Sequence, residues 1–173
     1  IRRDRATSNI CTAQVLLAIM SSMYAVYHGP KQLEKISKRV NYLTDLLATS
    51  LTDGGYDLYS KYFFDTIRVK CDSDSVISQA QSSKINFWNY GDSVGISLDE
   101  TVNISDIESI ASIFGVKLSS ASKARIPNSL IRTSSFLDNP VFNTYHSETD
   151  MLRYIHKLES KDLSLNFSMI PLG

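Results

Sequence analysis

The 173-residue sequence carries 18 Lys+Arg against 18 Asp+Glu, a formal net charge of zero at pH 7. That balance excludes the overall cationic surface of an obligate nucleic-acid or polybasic membrane binder. With 43% hydrophobic and 21% charged residues, the composition is that of an ordinary globular chain, and it excludes disordered, collagen-like and disulfide-scaffold classes. Cys11 and Cys71 are too few for a four-cysteine metal site. The longest apolar stretch, Val15 to Met20, is far short of the ~20 residues of a membrane span, and no secretory signal is legible. The charged start Ile1-Arg2-Arg3-Asp4-Arg5, without Met, and the close at Pro171-Leu172-Gly173 read as the ends of an interior piece of something larger.

In chain order, the first expected element is a helix from about Ser8 to His28. Ile10, Ala13, Leu17, Met20, Tyr24 and Tyr27 recur at spacings of three and four and share one face. Gly29-Pro30 ends it, and Pro30 suits the first turn of a second helix. That helix carries the stripe Leu33, Ile36, Val40, Leu43 and Leu47 and closes at Gly54-Gly55. Thr66, Arg68 and Lys70 then alternate with Ile67, Val69 and Cys71, the two-residue period of a half-buried strand. Asp72-Ser73-Asp74 opens a short helix to about Ser83, with Val76, Ile77 and Ala80 inward. Ile85 to Tyr90 and Ser93 to Leu98 read as two strands joined by a tight turn at Gly91-Asp92. Ser105 to Glu108 reads as a capping box, in which the Ser105 hydroxyl and a carboxylate three residues on satisfy free amides reciprocally. Behind it, Ile107, Ile110, Ala111 and Phe114 form a helical face ended by Gly115.

The expected class is therefore α+β, with helices covering an antiparallel or mixed sheet. After Leu118 the texture changes: Ser119 to Pro127 is rich in small polar residues and reads as a linker. A last helix runs from about Ser147 to Glu159, with Ser147 and Asp150 as a weaker capping box and no second element nearby on which to bury its face.

Motifs that carry chemistry are scarce. There is no Gly-rich phosphate loop, nucleophile elbow or paired cysteine at redox spacing, and Gly91 and Gly95 fall in the hairpin. His146 and His156 have no helical relation that converges them on a metal, and read as solvent-facing or capping histidines. Cys71 reads as a core strand residue, and Cys11 as a first-turn thiol within reach of a helix dipole but with no base nearby in sequence to make it reactive. Asp53, Asp57, Asp65, Asp72 and Asp74 fit no calcium-loop spacing. Phe87, Trp88 and Tyr90 have the chemistry to stack on a base or sugar, but alternate as strand residues that pack a core.

Longer strings say more. Ile1 to Gln14, Tyr24-Ala25-Val26-Tyr27-His28-Gly29-Pro30, Val94 to Thr101, Phe142-Asn143-Thr144-Tyr145-His146-Ser147-Glu148-Thr149, Met151 to Glu159, Lys161 to Leu165 and Ser168 to Gly173 resemble, in order, the P-protein family of the glycine cleavage system. The resemblance implies an aminotransferase-like (fold type I) pyridoxal-phosphate (PLP) enzyme built of two homologous halves. Residues 1–118 are then expected to be the small domain of the N-terminal half, 119–145 the linker, and 146–173 the start of the C-terminal half, a helical arm. It implies glycine decarboxylation, in which the PLP ring takes up the electrons released with CO₂. Transfer of the aminomethyl group to the lipoyl arm of the H-protein follows.

By the same resemblance the expected partners are the remainder of the P-protein, the lipoylated H-protein and glycine, with no nucleic acid and no membrane. The intact enzyme is expected to be a dimer in the bacterial cytoplasm or mitochondrial matrix. The family's Schiff-base lysine follows a histidine farther downstream, and His156-Lys157 matches the arm helix instead. Neither a catalytic, a cofactor-binding nor a metal residue is expected within these 173, and the piece alone is expected to be inactive and not to hold PLP. Ser8, Asn9, Cys11 and Thr12, with Ser168, Met169, Ile170, Pro171, Leu172 and Gly173, are expected to line the cleft of the intact enzyme. The competing reading is a self-contained α+β ligand-binding or interaction module.

Overall fold

The computed structural model describes residues 12–119, 125–163, 167 and 169. Among them are four α-helices and a three-stranded antiparallel sheet, an α+β architecture. Backbone contacts divide the chain into two compact units: Ile1–Leu33 together with Ser134–Gly173, and Glu34–Thr133.

The first helix, α1 (Thr12–Asp53), is interrupted at Gly29, where φ is 60° and ψ is 177°. The two expected helices are thus consecutive, joined by one residue in a backbone region that only glycine enters readily. Pro30 restarts the helix at once, because its ring already holds the helical φ and its missing N–H falls where none is needed. The expected start near Ser8 lies outside the described residues.

In the second unit, Leu43 to Leu51 of α1 are buried without exception. Of the expected stripe, Val40, Leu43 and Leu47 are in the core, while Leu33 and Ile36 are half-buried. The sheet has the order β1 (Thr66–Lys70), β3 (Ser93–Ser97), β2 (Trp88–Asn89). Ile67 and Val69 point into the core with Val94 and Ile96, and Arg68 stands opposite Gly95, which in turn pairs with Trp88. Helices α2 (Ser73–Ser82) and α3 (Ile104–Ile113) add Val76, Ala80, Ile107 and Ile110 to the same cluster.

Three expectations are corrected here. The strand Ile85–Tyr90 shrinks to Trp88–Asn89, because Ile85 N–H closes α2 by donating to the Ala80 carbonyl at 2.8 Å. The cap of α3 is Asn103, two residues before Ser105. Its Oδ1 accepts from the amides of Ser105 and Asp106 at 2.9 and 3.3 Å, and the Asp106 carboxylate accepts from Asn103 N–H at 2.8 Å. Cys71 follows β1 and is only half-buried, packed on the edge of the core.

In the first unit, the described part of α1 turns its expected apolar face outward: Leu17 is 65% and Met20 59% exposed. Val26, on the other side of the helix, is buried. The last helix, α4 (Glu148–Glu159), is capped by the Ser147 hydroxyl, which accepts from Asp150 N–H at 3.2 Å. It does find a neighbour. Tyr154 lines a groove with Met23 and Val26 of α1, although no residue of α4 is fully buried. Among the described residues of 119–145 the only regular structure is two 3-10 turns, Asn128–Leu130 and Pro140–Asn143. No described helix is long and apolar enough to cross a membrane.

Helices α1, α2 and α3 end alike, by a pair of bonds that turn the chain through a left-handed residue. After α1, Tyr56 N–H reaches Leu51 O at 2.9 Å and Gly55 N–H reaches Thr52 O at 3.1 Å; after α3, Val116 reaches Ala111 and Gly115 reaches Ser112. After α2, Ile85 reaches Ala80 and Lys84 reaches Gln81, so Lys84, at φ 59°, holds the place that glycine holds in the other two. A Cβ in that backbone region costs roughly 1–2 kcal/mol, offset in part by glycine's greater freedom when unfolded. Lys84→Gly is therefore expected to stabilise the chain by about 1 kcal/mol, read as a higher urea midpoint with unchanged slope.

Candidate functional site

Most polar geometry in the first unit gathers around Gly29. A Cβ there would stand 2.5 Å from the Phe142 carbonyl oxygen and 2.7 Å from His146 Cε1, so the backbone after Pro140 approaches only because the side chain is absent. His146 Nδ1–H donates to the Tyr27 carbonyl at 2.7 Å. That carbonyl belongs to the last turn before the helix break, where intrahelical donors run out. Since a carbonyl only accepts, the bond fixes the proton on Nδ1 and leaves Nε2 as the acceptor nitrogen of the neutral ring.

His28 packs against Tyr24 and Tyr27, with ring centroids 4.3 and 5.2 Å apart. Tyr145 stacks on Tyr154 at 4.2 Å. The 3-10 turn is held by Asn143, whose amide donates to the Leu137 and Asn139 carbonyls at 3.0 and 3.2 Å. Beside this junction lies a groove of about 450 Å³, lined by Ser22, Met23, Val26, Val141, Phe142 and Tyr154 among others. His146 thus acts as a capping residue, and its geometry is that of a clasp.

In the second unit, the outer face of the sheet carries a compact polar cluster. The Arg68 guanidinium lies between the rings of Tyr59 and Tyr90, 3.9 and 4.1 Å from their centroids. Its Nε donates to Ser93 Oγ at 2.8 Å and its terminal nitrogen to Asp92 at 3.0 Å; the Tyr59 hydroxyl donates to the other Asp92 oxygen at 2.5 Å. Gly95 makes room for this: a Cβ there would come within 3.0 Å of the Tyr90 ring. The Tyr59 hydroxyl first, then Ser93 and Arg68, hold the Asp92 carboxyl well below the usual carboxylate range, and the same bond pushes the Tyr59 hydroxyl up. Of the expected aromatic group, Phe87 joins the core beside Phe114, Tyr90 covers Arg68, and Trp88 is 69% exposed.

A second hollow, about 370 Å³ and open, is lined by Tyr56, Cys71, Asp72, Gln79 and Phe114 among others. Burial pushes the Cys71 thiol up, which keeps it protonated and a weak nucleophile at neutral pH. Among the described residues no group of three or more His, Cys, Asp or Glu is placed to hold a metal ion. His156 lies 3.5 Å from Glu159 on its own helix, and Asp72 caps α2.

Of the expected cleft residues, Ser8, Asn9, Cys11, Ser168, Ile170, Pro171, Leu172 and Gly173 lie outside the described residues. Thr12 opens α1, and Met169 is 96% exposed. The described residues therefore bring none of them together. The contacts of His146 with Tyr27 and of Arg68 with Asp92 have no signature in the sequence, since their partners are 119 and 24 positions apart. The one available signal was Gly29-Pro30, legible only as a helix break.

A family model described as glycine cleavage system P-protein matches residues 1–114. Proteins named glycine dehydrogenase (decarboxylating) from Aliivibrio fischeri and Vibrio cholerae are 48% and 47% identical to this chain, and one from Nostoc punctiforme is 49% identical, each across 100% of it. The chain covers 19% of the first two and 20% of the third, so it spans about a fifth of the length of the curated relatives it matches.

Gly29→Ala combines the close approach of Phe142 and His146 with a φ of +60°, and is expected to cost at least ~2 kcal/mol, read by urea denaturation. His146→Ala, which removes the clasp and leaves the backbone free, is expected to cost less. Asp92 has its pKa lowered in the folded chain, so its contribution to stability is complete above the unfolded value of about 4 and is lost as pH falls towards the folded value. The stability gap between wild type and Asp92→Asn is accordingly expected to be constant near neutral pH and to close steadily on acidification, followed by urea midpoints across the acid range.

Proposed function

The chain belongs to the glycine cleavage system P-protein family, and we propose from that membership that it works as part of a PLP-dependent glycine dehydrogenase (decarboxylating). The observation that carries this is identity of close to one half along the whole of the chain with proteins of that name. The reaction belongs to the longer polypeptide: decarboxylation of glycine, then transfer of the aminomethyl group to the lipoyl arm of the H-protein. In that polypeptide residues 1–118 serve as the small domain of an aminotransferase-like N-terminal half, 119–145 as the linker, and 146–173 as the opening arm of the C-terminal half. The antiparallel sheet with helices packed on its core face supports the first of these assignments.

The described residues do not fit PLP. A Schiff-base lysine must reach the cofactor inside a pocket, yet every described lysine is exposed and none lines either hollow above. A phosphate cradle needs free N–H groups at a helix start, and at α2, α3 and α4 a side chain already stands there: Asp72 takes the amide of Ser75, Asn103 those of Ser105 and Asp106, and Ser147 that of Asp150. The cofactor site is therefore assigned to polypeptide outside these residues, and the 173-residue chain by itself to the inactive class. Ser8 to Thr12 and Ser168 to Gly173 keep their proposed place along the cleft of the intact, dimeric enzyme, in the bacterial cytoplasm or mitochondrial matrix.

The test has two arms. The full-length polypeptide is expected to release CO₂ from carboxyl-labelled glycine only when PLP and lipoylated H-protein are both supplied. The 173-residue chain, mixed with PLP and reduced with borohydride, is expected to show no single lysine peptide carrying the cofactor stoichiometrically. Such a peptide would sink the assignment of PLP elsewhere, and a full-length protein inert towards glycine would sink the activity.

A further inference from the structure

The described part of α1 before Gly29 has two unlike sides. At about 100° per residue, Ser22 and Val26 stand opposite Met20 and Tyr24. Ala25, half-buried, and Val26, buried, line the groove shared with Val141, Phe142 and Tyr154, so in its last two turns this side is covered from within the unit. The other side carries Ala13, Leu17, Met20, Tyr24 and Tyr27, all exposed, with Leu16, 62% exposed, along its flank. From Thr12 to Pro30 there is no Asp, Glu, Lys or Arg. A helix that faces water carries charge on its wet side; one apolar all round is buried.

We propose that this outward stripe is a docking surface covered, within the same polypeptide, by residues that lie outside 1–173. The inference rests on the family reading, because that reading supplies the occupant. The relatives are about five times as long as this chain, and most of their length is available to cover the helix. The stripe has no charge with which to recruit a polar partner, and no described helix is long and apolar enough to cross a membrane. Among the described residues of the first unit, Val141 to His146 and Tyr154 engage α1 from the Val26 side and at the Gly29 break, so neither is the missing cover.

The experiment uses the full-length polypeptide carrying Leu17→Cys or Met20→Cys, treated with a maleimide under native conditions and after unfolding in urea. Labelling is located by peptide mass, so that Cys11 and Cys71 are read separately. Both positions are expected to react about 100-fold more slowly in the native protein than in the unfolded one, at every protein concentration. Native labelling as fast as unfolded labelling overturns the proposal. So does protection that disappears on dilution, which assigns the cover to a second copy. Glycine decarboxylation by the same variants keeps the two readings apart. Protection without decarboxylation supports the buried stripe while removing the activity; decarboxylation without protection does the reverse.

Discussion

The second unit is organised by one demand: nine consecutive residues of α1, Leu43 to Leu51, are removed from water on every side. A helix normally buries a stripe, so burying the whole circumference requires cover from several elements. The inner face of the sheet, α2 and α3 provide much of it. The run also contains Thr44, Asp45, Thr49 and Ser50, whose polar atoms must be paired once buried. Thr44 and Ser50 return their hydroxyl protons to the carbonyls of Val40 and Leu46, one turn back. Ser50 Oγ also accepts from Ser119 N–H at 2.9 Å, and Asp45 takes the Arg125 guanidinium at 2.9 Å. The chain beyond α3 is thus drawn back to the helix by two buried polar groups. The ion pair matters because the Asp45 carboxylate is only 2% exposed, out of reach of the water that screens a surface pair.

Where the sequence was informative, a period made it so. The alternation through Thr66–Lys70 and the helical spacing of Val40, Leu43 and Leu47 report burial directly, and the structure agrees. Periodicity identifies the side chains that share a face; it is silent on what lies against that face. Hence the shared face of Leu17 and Met20 was legible, while its exposure in the described chain was not. Short-range chemistry misled by its redundancy: Ser105 and Asn103 both suit a cap, and only the start of the helical bonding selects Asn103. Arg125 sits in a tract whose small polar neighbours suggest a linker, and one long-range ion pair leaves no local trace.

The candidate sites were less legible still. Two of the strings that carry the family resemblance, Tyr24–Pro30 and Phe142–Thr149, meet at Gly29, where a missing side chain lets two backbones touch. The structure thereby gives the glycine a second task beyond stopping a helix. The Arg68 cluster is likewise a product of register: Trp88, Gly95 and Arg68 fall in one row across three strands, and the central glycine leaves space for the Tyr90 ring.

The division of the chain has a temporal side. Glu34–Thr133 is continuous, so every residue of it has been made by the time Thr133 leaves the ribosome, and it can collapse as a unit from then on. The other unit is built from both flanks of that segment. Its leading helix therefore emerges first and waits, apolar and unclasped, until Phe142 and His146 have been synthesised. During that interval the space beside Gly29 is unfilled, and the junction at the helix break closes only after the continuous unit has been made.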